Sequence, residues 1–165
     1  MEGLSKKEIE IISSLEFDEK YFFSSKDIEK FVVNKTQKYN TIKNLLKKER
    51  IVKINRKKYY LVPIKARKGK WTENPFIVAD EIFDGEGYFV GGWAAANYWG
   101  LTDQIPIQYD IWTTKRQGIV KILGIRFKFH RTTKKRTEKA ITEYIKEHPF
   151  KILGKEDTKA WLSKK

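Results

Sequence analysis

Gln37, Asn40, Thr41 and Asn44 recur at helical spacing, with lysines on either side of them. A side-chain amide presents a donor and an acceptor together, the pattern that matches N6 and N7 of adenine in the major groove. Threonine offers a hydroxyl for a phosphate oxygen and a methyl for thymine. On a wheel of about 100° per residue, Tyr39, Ile42, Leu45 and Leu46 gather on one side, which predicts the buried side. Gln37, Asn40, Thr41, Asn44 and Lys48 gather on the other. A merely solvated helix face more often carries Glu–Lys pairs, so an amide-rich face points to a hydrogen-bonding ligand. With Thr36 at the helix start, the candidate base-reading residues are Thr36, Gln37, Asn40, Thr41 and Asn44. Gln37, Asn40 and Thr41 rank first, because the N-terminal half of such a helix usually reaches the bases.

Lys35, Lys38, Lys43, Lys47 and Lys48 flank these residues, and Arg56, Lys57 and Lys58 follow shortly after. They are candidates for the sugar-phosphate backbone, where contacts position a protein but carry little sequence information. Between Asn34 and Lys70 there are fourteen basic residues and one acidic residue, an excess of +13 over 37 positions. The whole chain of 165 residues carries +14, so the surplus is concentrated here. A chain whose lysines only solvate its surface would raise Lys and Glu together, as residues 1–19 do and residues 34–70 do not. The segment therefore implies a polyanionic partner.

Positioning these groups needs a scaffold, and its signals are local. Ser5 and Glu8 form a capping-box pair, with Leu4 and Ile9 at the staple positions; Ile9, Ile12 and Leu15 give an apolar stripe. Ser24 and Asp27 repeat the device before a short second helix through Ile28, Phe31 and Val32. A third helix is expected over roughly 36–49. Ile51–Ile54 and Tyr59–Val62 are short and β-prone, and Asn55-Arg56-Lys57-Lys58 joins them as a hairpin. Three helices and then a hairpin is the order of a winged helix-turn-helix.

The expected fold class is α+β: a winged helix-turn-helix over residues 1–64, a basic linker over 65–74, and a small mixed α/β domain over 75–165. In the second part, Asn74-Pro75 starts a helix, Tyr88–Val90 a strand, and Trp93–Trp99 a helix closed by Gly100. Gln108–Thr113, Ile119–Ile122 and Ile125–His130 read as strands, and Lys155–Leu162 as a helix. Residues 138–147 fit helix by propensity and strand by alternation.

The stretch from Tyr88 to Pro106, YFVGGWAAANYWGLTDQIP, carries Gly91, Gly92, Trp93, Ala95, Gly100, Leu101, Thr102, Gln104 and Pro106. It resembles the signature of the AbiEi family of antitoxins and predicted regulators from abortive-infection toxin–antitoxin pairs. The order of a winged helix before this stretch is similar too, although the family's wing glycine is missing from Arg56-Lys57-Lys58-Tyr59. Glu156-Asp157-Thr158 resembles the start of the family's later helix, which tilts residues 139–153 toward a strand hairpin. The resemblance implies two roles. One is repression of the protein's own operon through operator repeats in double-stranded DNA. The other is counteraction of a nucleotidyltransferase-like toxin. An alternative is a protein-interaction antitoxin that neutralises the toxin, or shields its RNA substrate, without reading DNA sequence.

Other classes find little support. There is no cysteine, hence no disulfide or thiolate metal site. His130 and His148 stand apart in the sequence, too few for a histidine-rich metal centre. The acids Asp80, Glu81, Asp84 and Glu86 are explained by a helix end and a loop. No catalytic residues and no cofactor are expected. Gly91-Gly92 lacks the Lys-Ser or Lys-Thr of a phosphate loop and reads better as close helix–sheet packing. Trp93, Tyr98, Trp99 and Trp112 could stack on bases but read better as core. With 40% hydrophobic residues and no long apolar run, the chain reads as a folded cytoplasmic protein with no membrane partner.

Overall fold

The computed structural model describes residues 3–66 and 71–165. It is a mixed α+β structure with two sheets, divided into compact units of Met1–Trp71 and Thr72–Lys165. Of the basic linker, Arg67, Lys68 and Lys70 lie outside the described residues. No helix among those described is long and apolar enough to cross a membrane.

In the first unit, α1 (Lys6–Phe17) begins where the sequence signals it. The Glu8 N–H donates to Ser5 Oγ at 3.2 Å and the Ser5 N–H to Glu8 Oε2 at 2.7 Å, which satisfies two orphan donors reciprocally. The apolar stripe is displaced from expectation: Ile11, Ile12 and Leu15 are buried, while Ile9 is 47% exposed. The expected second helix is a 3-10 helix (Ser25–Phe31). Its start is held by the Asp27 carboxylate, which accepts from the Ser24 N–H at 2.6 Å.

Before it, β1 (Phe22–Ser24) was not legible as a strand. It completes a sheet with β2 (Ile51–Lys53) and β3 (Lys58–Leu61), in the order β1-β3-β2 and antiparallel throughout. The expected two-stranded ribbon is thus part of a three-stranded sheet. α2 (Lys35–Lys47) packs against β2 and the 3-10 helix. The core joins Ile11, Ile12, Leu15, Phe23, Ile28, Ile42, Leu45, Ile51 and Leu61.

The second unit builds a six-stranded sheet in the order β6-β7-β5-β4-β9-β8. Its strands are β4 (Tyr88–Val90), β5 (Tyr109–Thr113), β6 (Gly118–Ile122), β7 (Ile125–Arg131), β8 (Ile141–Ile145) and β9 (His148–Ile152). β5–β7 and β4–β9 pair parallel, the rest antiparallel. α3 (Pro75–Phe83) is capped by Asn74, whose Oδ1 accepts from the Phe76 N–H at 2.9 Å. It sets Phe76 against Phe150 and Tyr109, and Phe83 against Tyr88 and Phe129.

α4 (Gly92–Tyr98), α5 (Lys134–Glu138) and α6 (Lys155–Leu162) complete the unit. Gly91, just before α4, is a close-packing position. A Cβ there would lie 2.6 Å from the Trp112 ring, so the indole occupies the space a side chain would need. α5 carries no apolar stripe and was not legible. Residues 141–145 resolve as strand because Lys146 and Glu147, at φ of 49° and 64°, make a tight turn between β8 and β9.

Candidate functional site

α2 is set by reciprocal bonds at its start. Asn34 Oδ1 accepts from the Gln37 N–H at 2.9 Å, and Gln37 Oε1 accepts from the Val33 N–H at 2.7 Å. The buried stripe then runs through Lys38, Thr41, Ile42 and Leu45, with Lys38 half-buried and the other three buried. That stripe is rotated from the one the sequence suggests. Tyr39, expected in the core, is 66% exposed, because a helix stripe centred between Thr41 and Leu45 leaves position 39 on its flank.

The rotation decides which candidates reach solvent. Thr36, Asn40 and Asn44 are exposed, as are Lys35, Lys43 and Lys47. Gln37 is half-buried, with its oxygen engaged by Val33. Thr41 is 8% exposed, so it is a buried residue rather than a leading reader. Val33, Asn34, Thr36, Gln37, Asn40, Thr41 and Asn44 together line one shallow depression. The structure therefore brings all five base-reading candidates to one concavity, with Thr41 the least accessible of them.

Two lysines depart from their expected role. Lys48 caps the C-terminus of α2, where its Nζ lies 2.8 Å from Glu8 Oε2 and 2.9 Å from the Gly3 carbonyl oxygen. It is a tether to the start of α1, because Glu8 is buried and a buried carboxylate needs a partner. Burial pushes the Glu8 carboxyl up, but the Lys48 ammonium and the Ser5 N–H and hydroxyl outweigh it and leave its pKa below the ordinary value. Lys38, half-buried on α2, pairs at 2.6 Å with the exposed Glu29. The Lys38 ammonium in turn holds Glu29 below its ordinary pKa.

The hairpin tip keeps its cations outward. Arg56 and Lys57 are exposed and Lys58 is half-buried at the head of β3. Asn55 Oδ1 accepts from the Lys57 and Lys58 N–H groups at 2.9 Å each, a side-chain-closed turn that fixes the tip. The turn needs no glycine: the Asn55 amide oxygen does the closing.

In the second unit the histidines do not stand alone. His130 Nε2 lies 2.7 Å from Asp110 Oδ1, and His148 Nε2 lies 3.1 Å from Asp80 Oδ2. Asp80 is buried, not a solvated helix-end acid, and also accepts from the Tyr88 hydroxyl at 2.8 Å. Burial and then the Asp80 charge push the Tyr88 hydroxyl far up, so it stays a donor. Among the described residues, no group of three or more His, Cys, Asp or Glu side chains could hold a metal ion. Trp93, Tyr98, Trp99 and Trp112 are half-buried, with Trp93 edge-on to Trp161 and Trp112 stacked between Phe89 and His130. No protein-family model matches the chain, and neither does any curated protein sequence.

Proposed function

We propose that the first unit is a winged helix-turn-helix that binds double-stranded DNA, with α2 as the reading helix and the β2–β3 hairpin as the wing. The protein is a non-enzymatic repressor of its own operon. The observation that carries this reading is the solvent face of α2: Thr36, Asn40 and Asn44 are exposed amide or hydroxyl groups, and exposed Lys35, Lys43 and Lys47 surround them. Groups of the first kind suit base edges, and groups of the second suit phosphates. Arg56 and Lys57 add exposed cations on a tip that Asn55 holds rigid. The test is binding of duplex from upstream of the gene. Asn40→Ala weakens operator binding by about 1–3 kcal/mol and leaves random duplex unchanged. An equal weakening on both would remove the base-reading role.

A second observation supports the antitoxin role that the AbiEi resemblance suggests. Ile105 and Ile107, in the loop after α4, are 79% and 94% exposed. Two large apolar side chains this open, two residues apart, suit a protein partner, for which a nucleotidyltransferase-like toxin is the candidate. Ile105→Ser with Ile107→Ser abolishes growth protection against that toxin while duplex binding persists. Protection that survives the pair would remove this loop from the interface.

A further inference from the structure

The sheet of the second unit carries a column of rings that duplex binding does not use. β-strand alternation places Tyr88 and Phe129 toward α3, and therefore Phe89, Trp112 and His130 on the opposite face. Phe89 pairs with Trp112 across β4–β5, and Trp112 with His130 across β5–β7. The Phe89 and Trp112 planes lie 5° apart at a centroid distance of 5.7 Å; Trp112 and His130 lie 20° apart at 4.6 Å. Phe89 is 2% exposed, whereas Trp112 and His130 are half-buried, so the column is closed at one end and emerges at the other. Asp110 Oδ1 fixes the His130 ring and also accepts from Gln108 Nε2 at 3.3 Å, so the carboxylate is engaged.

Beyond His130 the stack has room. The β6–β7 pairing ends at Gly118 opposite Phe129, one residue short of the imidazole. A depression there is bordered by Trp112, His130, Gln117, Gly118, Lys128 and Arg131. The register puts Lys128 on the same face as His130, and the pair Lys121–Arg126 continues along that face toward the far end of β6–β7. All three are exposed, and Asp110 is the single acid in β5, β6 and β7.

We propose that this depression takes a nucleobase of single-stranded nucleic acid, stacked on His130 as the next ring in the column, with a phosphate held by Lys128. Gln117 stands at the wall where an amide can meet a base edge. Every base has a π-face, so such a platform is tolerant of sequence. The row through Lys121 and Arg126 extends past one phosphate, which favours a strand over a free nucleotide. A duplex keeps its bases paired and stacked and does not fill the slot. This site does not depend on the reading of α2.

The test is fluorescence anisotropy of the full chain with a labelled single strand of about a dozen nucleotides. His130→Ala weakens binding about tenfold, and His130→Phe, which keeps a ring in the column, restores most of it. Lys128→Glu, at an exposed position where folding is not at stake, weakens binding and its salt dependence. Arg56→Ala with Lys57→Ala leaves it unchanged. The proposal is overturned by absence of binding, by binding that survives both His130→Ala and Lys128→Glu, or by binding that disappears with Arg56 and Lys57. Adenosine monophosphate is the competing probe. Displacement of the strand at equal molar concentration would assign the slot to a mononucleotide and overturn the strand.

Discussion

Asn40 and Gln37 are both amides on α2, yet their surroundings assign them different duties. Asn40 is exposed, whereas the Gln37 oxygen is spent on the Val33 N–H. Gln37→Ala therefore lowers thermal stability by about 0.5–1 kcal/mol as well as weakening DNA binding, whereas Asn40→Ala affects binding alone; paired melting and binding curves separate the two. Lys48 gives the opposite case, a cation whose work is internal. Lys48→Met strands the Glu8 carboxylate and destabilises the first unit by about 2 kcal/mol, between the exposed and the buried ion-pair cases. The pH dependence follows from the depressed Glu8 pKa. Its contribution is present above the ordinary carboxylate value and is lost as pH falls through the folded value. The deficit of Lys48→Met is thus largest near neutral pH and shrinks in acid, as denaturant titrations at several pH values will show. A deficit independent of pH would mean that the lysine stem, not its charge, holds the two helices.

The hairpin and α2 show how much of an element the sequence reveals. Cap residues located the starts of α1 and α3, because a helix start is a local chemical problem that Ser5 and Asn74 each solve with one side-chain oxygen; Asn34 does the same for α2, a cap the sequence reading did not single out. The rotation of α2 was not local. It depends on what the 3-10 helix and β2 present to it, so Tyr39 came out exposed and Thr41 buried. β1 was hidden because three residues, Phe22–Ser24, show no alternation until β3 pairs with them. The β8–β9 turn was hidden because Lys146 and Glu147 replace the usual Asn-Gly. The hairpin tip was readable, but its clamp was not: Asn55→Ala frees the Lys57 and Lys58 backbone N–H groups and weakens duplex binding without removing a charge. Its salt dependence should match that of wild type, whereas Arg56→Ala with Lys57→Ala flattens the slope by about one unit for each phosphate no longer neutralised.

At the scale of the chain, the +13 of residues 34–70 does not act as one patch. Lys48 is drawn into a pair with the buried Glu8, and Lys38 pairs with Glu29 at the surface; Lys35, Lys43, Lys47, Arg56 and Lys57 are exposed cations of α2 and the hairpin tip. About five phosphate contacts correspond to a salt slope near −4.5 for duplex DNA, shallower than the raw charge suggests. The measurement that bears most directly on function is a titration of upstream duplex against scrambled competitor at two salt concentrations, for wild type and Asn40→Ala. Wild type should prefer the upstream duplex at both salts, and Asn40→Ala should lose that preference while keeping the salt slope. No preference in wild type, or an Asn40→Ala protein that keeps the preference intact, would contradict base reading by α2.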